Sequence, residues 1–277
     1  MAARTWLITG VSSGFGRELT QQLLERGDGV LGTVRDTSKV GELIEQYPGT
    51  LTAEVLEMTD AAAVRQVADR AFAKLGCIDV VISNAGYGLF GAAEELSDAQ
   101  VDDIIATNLT GPITLIRAAL PHLRAQSGGR IIQISSYGGQ VAFAGNSLYH
   151  ATKWGIEGFC ESLAQEVAPF GIGVTIVEPG GARTDFRYGS AQIASPMAAY
   201  DGTPAHGFRA MLGTPAPGDP AKMAAAIIDS VEVEPAPLRL LLGSDAYQRT
   251  HEVLAGRLAA LEAQQALAAT TDVTGEG

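Results

Sequence analysis

Seven short apolar runs recur along the chain: Thr5–Thr9, Val30–Val34, Leu51–Leu56, Val80–Ser83, Arg130–Ser135, Gly173–Glu178 and Leu238–Leu242. Most are apolar at consecutive positions rather than alternating. That is the pattern of strands buried on both faces of a parallel sheet. The segments between them are long enough for helical crossovers, and right-handed crossovers place helices on both faces. The expected fold is α/β, a doubly wound parallel sheet. The chain has 277 residues without an internal repeat or a clear linker. Single α/β domains often reach about 250 residues, so residues 1–277 are read as one domain.

The helix signals are local. Gly16 to Arg26 carries Leu19, Leu23 and Leu24 on one face and stops at Gly27, a natural residue after a helix end. Ser97 and Gln100 fit a capping box, and the helix they open runs past Asn108, with Gly111-Pro112 as a local disturbance. Tyr149 to Ala168 reads as a long helix closed by Pro169-Phe170-Gly171. Residues 187–220 are rich in Gly, Pro, Ser and Ala, too long for an ordinary connection and suited to a substrate loop. Residues 246–269 read as an amphipathic helical extension, and the polar end beyond them as frayed.

Composition excludes several function classes. Asp and Glu number 31 against 19 Lys and Arg, a net charge of −12, with no basic run. Nucleic acid and anionic membrane are therefore not expected partners. Cys77 and Cys160 have no metal-type spacing and the four histidines are scattered, so no metal is expected. No apolar run reaches the length of about 18 residues of a membrane span. The first residues show neither a charged leader nor a small-residue cleavage site, and the expected location is cytoplasmic.

The most informative turn lies after the first strand: Gly10, Val11, Ser12, Ser13, Gly14, Phe15, Gly16. Glycines let a backbone turn sharply and approach a ligand without a Cβ clash. The helix that follows offers free N–H groups and the positive end of its dipole, which suit a pyrophosphate. The spacing is Gly-x-x-x-Gly-x-Gly. With Asn84-Ala85-Gly86 and Tyr149-His150-Ala151-Thr152-Lys153, it resembles the classical short-chain dehydrogenase/reductase family, over roughly residues 4 to 185. The resemblance implies a Rossmann-type fold with a seven-stranded parallel sheet, a nicotinamide dinucleotide and hydride transfer.

In such folds the end of the second strand meets the adenosine ribose; an acid there favours NAD, a nearby Arg favours NADP. Here Val34 stands at the acid position and Arg35 follows, so NADP(H) is expected. Asp36 keeps NAD(H) as the alternative, since a one-residue shift swaps the roles. At the adenine the resemblance places Glu57, beside Met58, where relatives carry Asp. Asp60 is a rival there, or else the cap of the next helix. Asn84, Ala85 and Gly86 are expected along the cofactor, and Asn84 resembles the family residue that stabilises the central sheet.

Tyr149 and Lys153 share a helix face at i, i+4. An ordinary phenol titrates near about 10, and a neighbouring ammonium favours its ionised form. Tyr149 is thus the expected general acid or base, with Lys153 tuning it and holding the ribose. Ser136 occupies the family's catalytic serine position, to bond the substrate oxygen, with Ser135 as the adjacent alternative. Asn108 resembles the family's helix Asn, whose backbone holds a water linked to the lysine. An Asn inside a helix is mildly unfavourable, which points to local compensation. Pro179, Gly180 and Thr184 look like the loop that holds the nicotinamide. His150 is read as a neighbour rather than a proton carrier and Cys160 as a packing residue.

The expected function is an oxidoreductase that interconverts a carbonyl and a secondary alcohol. Its partner is a small-molecule ketone or alcohol. Leu89, Phe90, Val141, Phe143 and Phe186 suggest an apolar pocket, and the overall pattern resembles members acting on steroid-like, retinoid-like or aryl ketones. The alternatives are an NAD-dependent alcohol dehydrogenase on the same scaffold and a non-catalytic dinucleotide sensor. Relatives commonly pair through the helices that hold Asn108 and Tyr149, so a homodimer or homotetramer is expected, with Gly155 and Gly158 permitting close contact.

Overall fold

A computed structural model of the chain describes residues 3–207 and 214–273. The first half contains β1 (Thr5–Thr9), α1 (Gly14–Glu25), β2 (Gly29–Val34), α2 (Gly41–Gln46), β3 (Leu51–Val55), α3 (Ala61–Leu75), β4 (Val80–Ser83), the two-residue β5 (Leu89–Phe90), α4 (Asp98–Ile105) and α5 (Gly111–Ala125). It continues with β6 (Gly129–Ile134), α6 (Ser147–Val167), β7 (Ile172–Pro179), a single turn α7 (Asp185–Tyr188), β8 (Gln192–Ile193), α8 (Pro220–Asp229), β9 (Arg239–Leu242), α9 (Ser244–Glu262) and α10 (Gln265–Ala269). Seven strands form one sheet in the order β3-β2-β1-β4-β6-β7-β9, and every pairing in it is parallel. The expected doubly wound Rossmann-type sheet is therefore present, with each of the seven expected strands shifted by at most one residue at either end.

Side chains alternate along each strand, and the two faces bury two cores. On one face Trp6, Ile8, Val30 and Ile82 pack with Leu19, Leu23 and Leu24 of α1 and Ile227 and Ile228 of α8. On the other, Leu7, Leu31, Val81 and Ile131 pack with α3, α5 and α6 through Val64, Phe72, Leu115, Ile156 and Cys160. Cys160 is thus a packing residue, and burial among apolar groups pushes its thiol up to about 12.

The order of strands reverses between β1 and β4, so their carboxyl ends leave a crevice. α1 opens onto it. Gly10 and Gly14 take left-handed backbone angles, φ 76° and 54°, which glycine tolerates best. Gly16 has a packing role: a Cβ there would collide with the Gly10 carbonyl oxygen and lie 2.6 Å from Asn84 Nδ2.

The other local signals resolve as follows. Ser97 and Gln100 form the capping box at the start of α4. Asp60 caps α3, accepting from the N–H groups of Ala62 and Ala63 at 3.0 Å each. Between α4 and α5 the helix passes through a π turn, Ala106–Thr110, that contains Asn108. α6 begins at Ser147, two residues before Tyr149. The 187–220 segment contains β8, which pairs with β5; residues 208–213 lie outside the described residues. Buried Glu95 ties this segment down, accepting from Met197 N at 2.7 Å and from His206 Nε2 at 2.6 Å. The 246–269 extension is helical, but its apolar side is not buried: Leu254, Leu258, Leu261 and Leu267 are exposed. The expected frayed end falls partly on residues 274–277, outside the described residues.

Two glycines give opposite stability expectations. Gly16→Ala forces a methyl against backbone and should cost about 1–3 kcal/mol. Gly158 lies mid-helix with nothing within 4 Å of an added Cβ, so Gly158→Ala should gain about 0.5–1 kcal/mol. Urea denaturation of the two variants checks this; equal effects would contradict the packing around Gly16.

Candidate active site

A single cleft of about 870 Å³ follows the carboxyl edge of the sheet from the end of β2 to the start of α6. Gly10, Ser12, Ser13, Gly14 and Phe15 line it, whereas Gly16 stays behind the loop. Ser13 precedes α1 without a side-chain cap, and no acid stands in the first turn. The first N–H groups of α1 therefore meet the cleft unneutralised, a setting that favours an anion.

At the β2 end the cleft is lined by Arg35, with Glu57 and Met58 opposite. Asp36 does not pair with Arg35. It accepts from Ser38 N at 3.0 Å and Ser38 Oγ at 2.7 Å, which holds its carboxyl below its ordinary value. Lys39 joins Arg35 at this end, a cation that sequence reasoning passed over although it lies four residues on. Arg35 and Lys39 together suit this end to a phosphate, with Glu57 also in the lining and Asp36 beside Lys39.

Where β1 and β4 part, Asn84 Nδ2 donates to the carbonyls of Thr9 at 2.8 Å and Gly10 at 3.1 Å. Thr9 Oγ1 in turn accepts from the N–H groups of Asn84 and Ala85. Asn84 thus fastens the glycine loop to the central strand, and Ala85 and Gly86 line the cleft beside it. Asn108 is buried outside the lining. Its amide exchanges hydrogen bonds with the backbone of Tyr87, donating at 2.8 Å and accepting at 3.0 Å. That pair, together with the π turn, is the local compensation for an Asn inside a helix.

At the other end Ser136, Tyr149 and Lys153 converge. Ser136 lies just past β6, lines the cleft, and hydrogen-bonds Tyr149. Ser135 turns away: its Oγ donates to Glu157 at 2.5 Å. The two neighbouring hydroxyls thus point to opposite sides, as successive residues of an extended chain do. Lys153 Nζ donates to the Ile134 carbonyl at 3.0 Å and sits 5.7 Å from the centre of the Tyr149 ring. The expected acidification of the phenol by this ammonium is not what prevails. Burial pushes the Tyr149 phenol above its ordinary value; the Ser136 hydrogen bond pulls it down, but by less. Burial also pushes Lys153 down to about 8, against the opposing charge of Glu157.

His150 packs against the loop. Its Nδ1–H donates to the Gly138 carbonyl at 2.8 Å, and Phe143 N donates to its Nε2 at 3.4 Å. Since a carbonyl only accepts, Nδ1 carries the proton, and burial lowers the His150 pKa. Pro179, Gly180 and Thr184 line the cleft near Tyr149. Asp245 of α9 also reaches the cleft and accepts from Gly181 N at 2.9 Å; no sequence motif marks it. Phe90, Phe143 and Phe186 form the apolar part of the wall. Leu89 and Val141, expected there, belong to the interior: Leu89 packs with Ile104 and Tyr149, and both are nearly inaccessible.

Comparison with known proteins gives a consistent result. Residues 4–192 match the short chain dehydrogenase family. The oxidoreductase BOA17 of Botryotinia fuckeliana is 38% identical over 252 residues, 88% of this chain and 90% of that protein. A short-chain dehydrogenase from Streptomyces avermitilis superposes with a TM-score of 0.93 at 41% identity, covering 98% of this chain and 100% of that one. A metagenomic short-chain oxidoreductase solved in complex with NADP has a TM-score of 0.70 at 25% identity, covering 87% and 97% of the two chains.

The buried Lys153 predicts a pH-dependent stability. Its folded value, about 8, is below the ordinary 10.5, so between these the unfolded chain binds more protons. The destabilisation is full below about pH 8 and is relieved as pH rises toward 10.5. Lys153→Met should therefore raise stability at pH 7 by on the order of 2 kcal/mol and remove the rise with pH, as urea melts at a series of pH values will read. An unchanged or lower stability at pH 7 would contradict it.

Proposed function

This chain belongs to the short-chain dehydrogenase family, and from that premise we propose that it is an NADP(H)-dependent oxidoreductase interconverting an apolar ketone and its secondary alcohol. The observation that carries the proposal is the convergence of Ser136, Tyr149 and Lys153 at one end of a cleft whose other end holds Arg35 and Lys39.

The residues present fit a dinucleotide. Gly10 and Gly14 hold the turn in left-handed backbone that glycine tolerates best, and the uncapped start of α1 offers donors to a pyrophosphate. Arg35 and Lys39 suit a 2′-phosphate. Asp36, which in the NAD alternative would hold the ribose hydroxyls, is engaged with Ser38. Glu57 and Met58 would flank the adenine, and Ala85 and Gly86 the middle of the molecule. Pro179, Gly180 and Thr184 would hold the carboxamide, as in the family pattern.

Hydride transfer is the chemistry that the nicotinamide supplies when bound. The chain's own residues handle the oxygen and the proton. Ser136 donates a hydrogen bond to the substrate oxygen and offsets the charge that develops there. Tyr149, held protonated by burial, is the acid that gives its proton to that oxygen when the ketone is reduced. Lys153 presents an ammonium beside the phenol ring and binds the ribose. The π turn at Asn108 takes backbone groups out of the regular helical ladder, which supports a water relay from Lys153 to solvent. Phe90, Phe143 and Phe186 favour an apolar, ring-bearing substrate.

A panel of ketones, read by loss of NADPH absorbance and separately of NADH absorbance, tests the proposal. Turnover with NADPH is expected; turnover with NADH alone would overturn the cofactor assignment. Tyr149→Phe should lower kcat by about 10²–10⁴-fold while NADPH still binds, and near-normal turnover would refute the proton donor. Arg35→Ala should raise the KM for NADPH by about 10-fold or more, with little change for NADH.

A further inference from the structure

Behind the catalytic end of the cleft lies a buried charge cluster that the reaction as proposed does not use. Glu157 follows Tyr149 and Lys153 on the same face of α6, one turn beyond the lysine, and is 2% exposed. Its Oε1 accepts from Ser135 Oγ at 2.5 Å, and its Oε2 from Arg239 Nη1 at 2.7 Å. A Cβ on Gly139 would run into this carboxylate, so the turn after Ser136 is packed directly on it. At the far end of the same turn, Gln140 Nε2 donates to Glu178 Oε2 at 2.7 Å, and Glu178 also pairs with Arg239. The turn that carries Ser136 is thus gripped at Ser135 and at Gln140 by two carboxylates that share one guanidinium.

The amount of charge exceeds what a simple strut requires. Arg239 serves Glu157, Glu161 and Glu178 together, and a glutamine at 157 would still bond Ser135. Burial, and then the neighbouring Glu157, push Glu178 up to about 7. Burial lowers the pKa of Lys153, and the charge of Glu157 opposes this. The titratable and charged groups around the pair are Tyr149, His150, Cys160 and Glu161 on α6, Tyr137 on the turn, Glu178 on β7 and Arg239 on β9. Arg239 is the cation among them; it pairs with Glu157, Glu161 and Glu178 and is not part of the cleft lining.

Building on the proposed function, we propose that Glu157 is a positioning residue for the reaction: its carboxylate fixes the Ser136 turn through Ser135 and balances the buried Lys153 ammonium one helical turn away. Arg239, from the last strand, anchors that carboxylate.

The test separates charge from shape. In the ketone-reducing direction the rate needs both Tyr149 and Lys153 protonated, and the charge of Glu157 favours the protonated form of each. Glu157→Gln should therefore move the alkaline limb of kcat/KM to lower pH by about one unit, whereas Glu157→Asp, which keeps the charge, should leave it in place. Lys153 is followed directly by ¹³C NMR of lysine-labelled protein, assigned with Lys153→Arg, and should titrate lower in Glu157→Gln by a similar amount. Arg239→Gln gives the opposite sign, with Lys153 titrating higher, and serves where Glu157→Gln does not fold. Ser135→Ala should lower kcat several-fold without moving the limb. Unmoved lysine titration in Glu157→Gln or Arg239→Gln, or an equal shift in Glu157→Asp, would overturn the electrostatic role, and unchanged kcat in Ser135→Ala the fixing of the turn. The NMR titration needs no turnover, so a wild-type protein inert toward ketones would defeat the proposed function while leaving the role of Glu157 to be decided by Lys153.

Discussion

A parallel sheet that reverses its winding must part its central strands at their carboxyl ends, and something other than the sheet ladder has to hold them there. In this protein Asn84 and Thr9 do so. The Asn84 amide bridges the carbonyls of Thr9 and Gly10, and the Thr9 hydroxyl accepts from the N–H groups of Asn84 and Ala85, just past β4. The carbonyls and N–H groups so bridged gain partners that the ladder no longer supplies. The glycine loop is thereby fixed at the mouth of the crevice, α1 can start against it with Gly16 pressed on Gly10, and the uncapped N–H groups of that helix face the open cleft. Everything that follows along the cleft is placed relative to this seam.

At the other end the governing force is burial of charge. Desolvation drives the phenol of Tyr149 and the ammonium of Lys153 toward their neutral forms; the Ser136 hydrogen bond favours the ionised phenol and the charge of Glu157 the ammonium, each only in part. Burying Lys153 is thus a local stability cost. The acidic cluster of Glu157, Glu178 and Arg239 extends this balance outward to the sheet edge. It also explains why a chain rich in acids keeps some of them inside: two of these carboxylates are 2% exposed or less, and each is met by the guanidinium.

Local patterns made much of this legible in the sequence. Strands buried on both faces announce themselves by unbroken apolar runs, and Ser97, Gln100 and Asp60 by their caps. Tyr149 and Lys153 share a face by helical spacing, but it was the glycine loop upstream that set this pair apart from an ordinary surface pair. Ser136 and Ser135 could not be separated by spacing alone, because that depends on which side of β6 each residue faces at its end. Leu89 and Val141 misled because an apolar residue near a site reads the same whether it lines a wall or fills the core. Glu157 and Arg239 were missed for a different reason: they meet across 82 positions, and no short motif encodes such a contact. The direction of the Tyr149 shift was also misjudged, since adjacency to Lys153 is visible in the sequence and depth of burial is not. The long C-terminal helix gave a helical pattern, but its Leu254, Leu258 and Leu261 lie exposed, which the pattern could not foretell.

The central claim is that one continuous cleft holds the dinucleotide from Arg35 to Tyr149. A crystal structure of the protein grown with NADPH tests it most directly. The account predicts the 2′-phosphate on Arg35 and Lys39, the pyrophosphate at the start of α1, and the nicotinamide ring between Tyr149 and the Pro179–Thr184 turn. A dinucleotide bound outside that cleft, or one whose nicotinamide lies away from the Tyr149 hydroxyl, would contradict it.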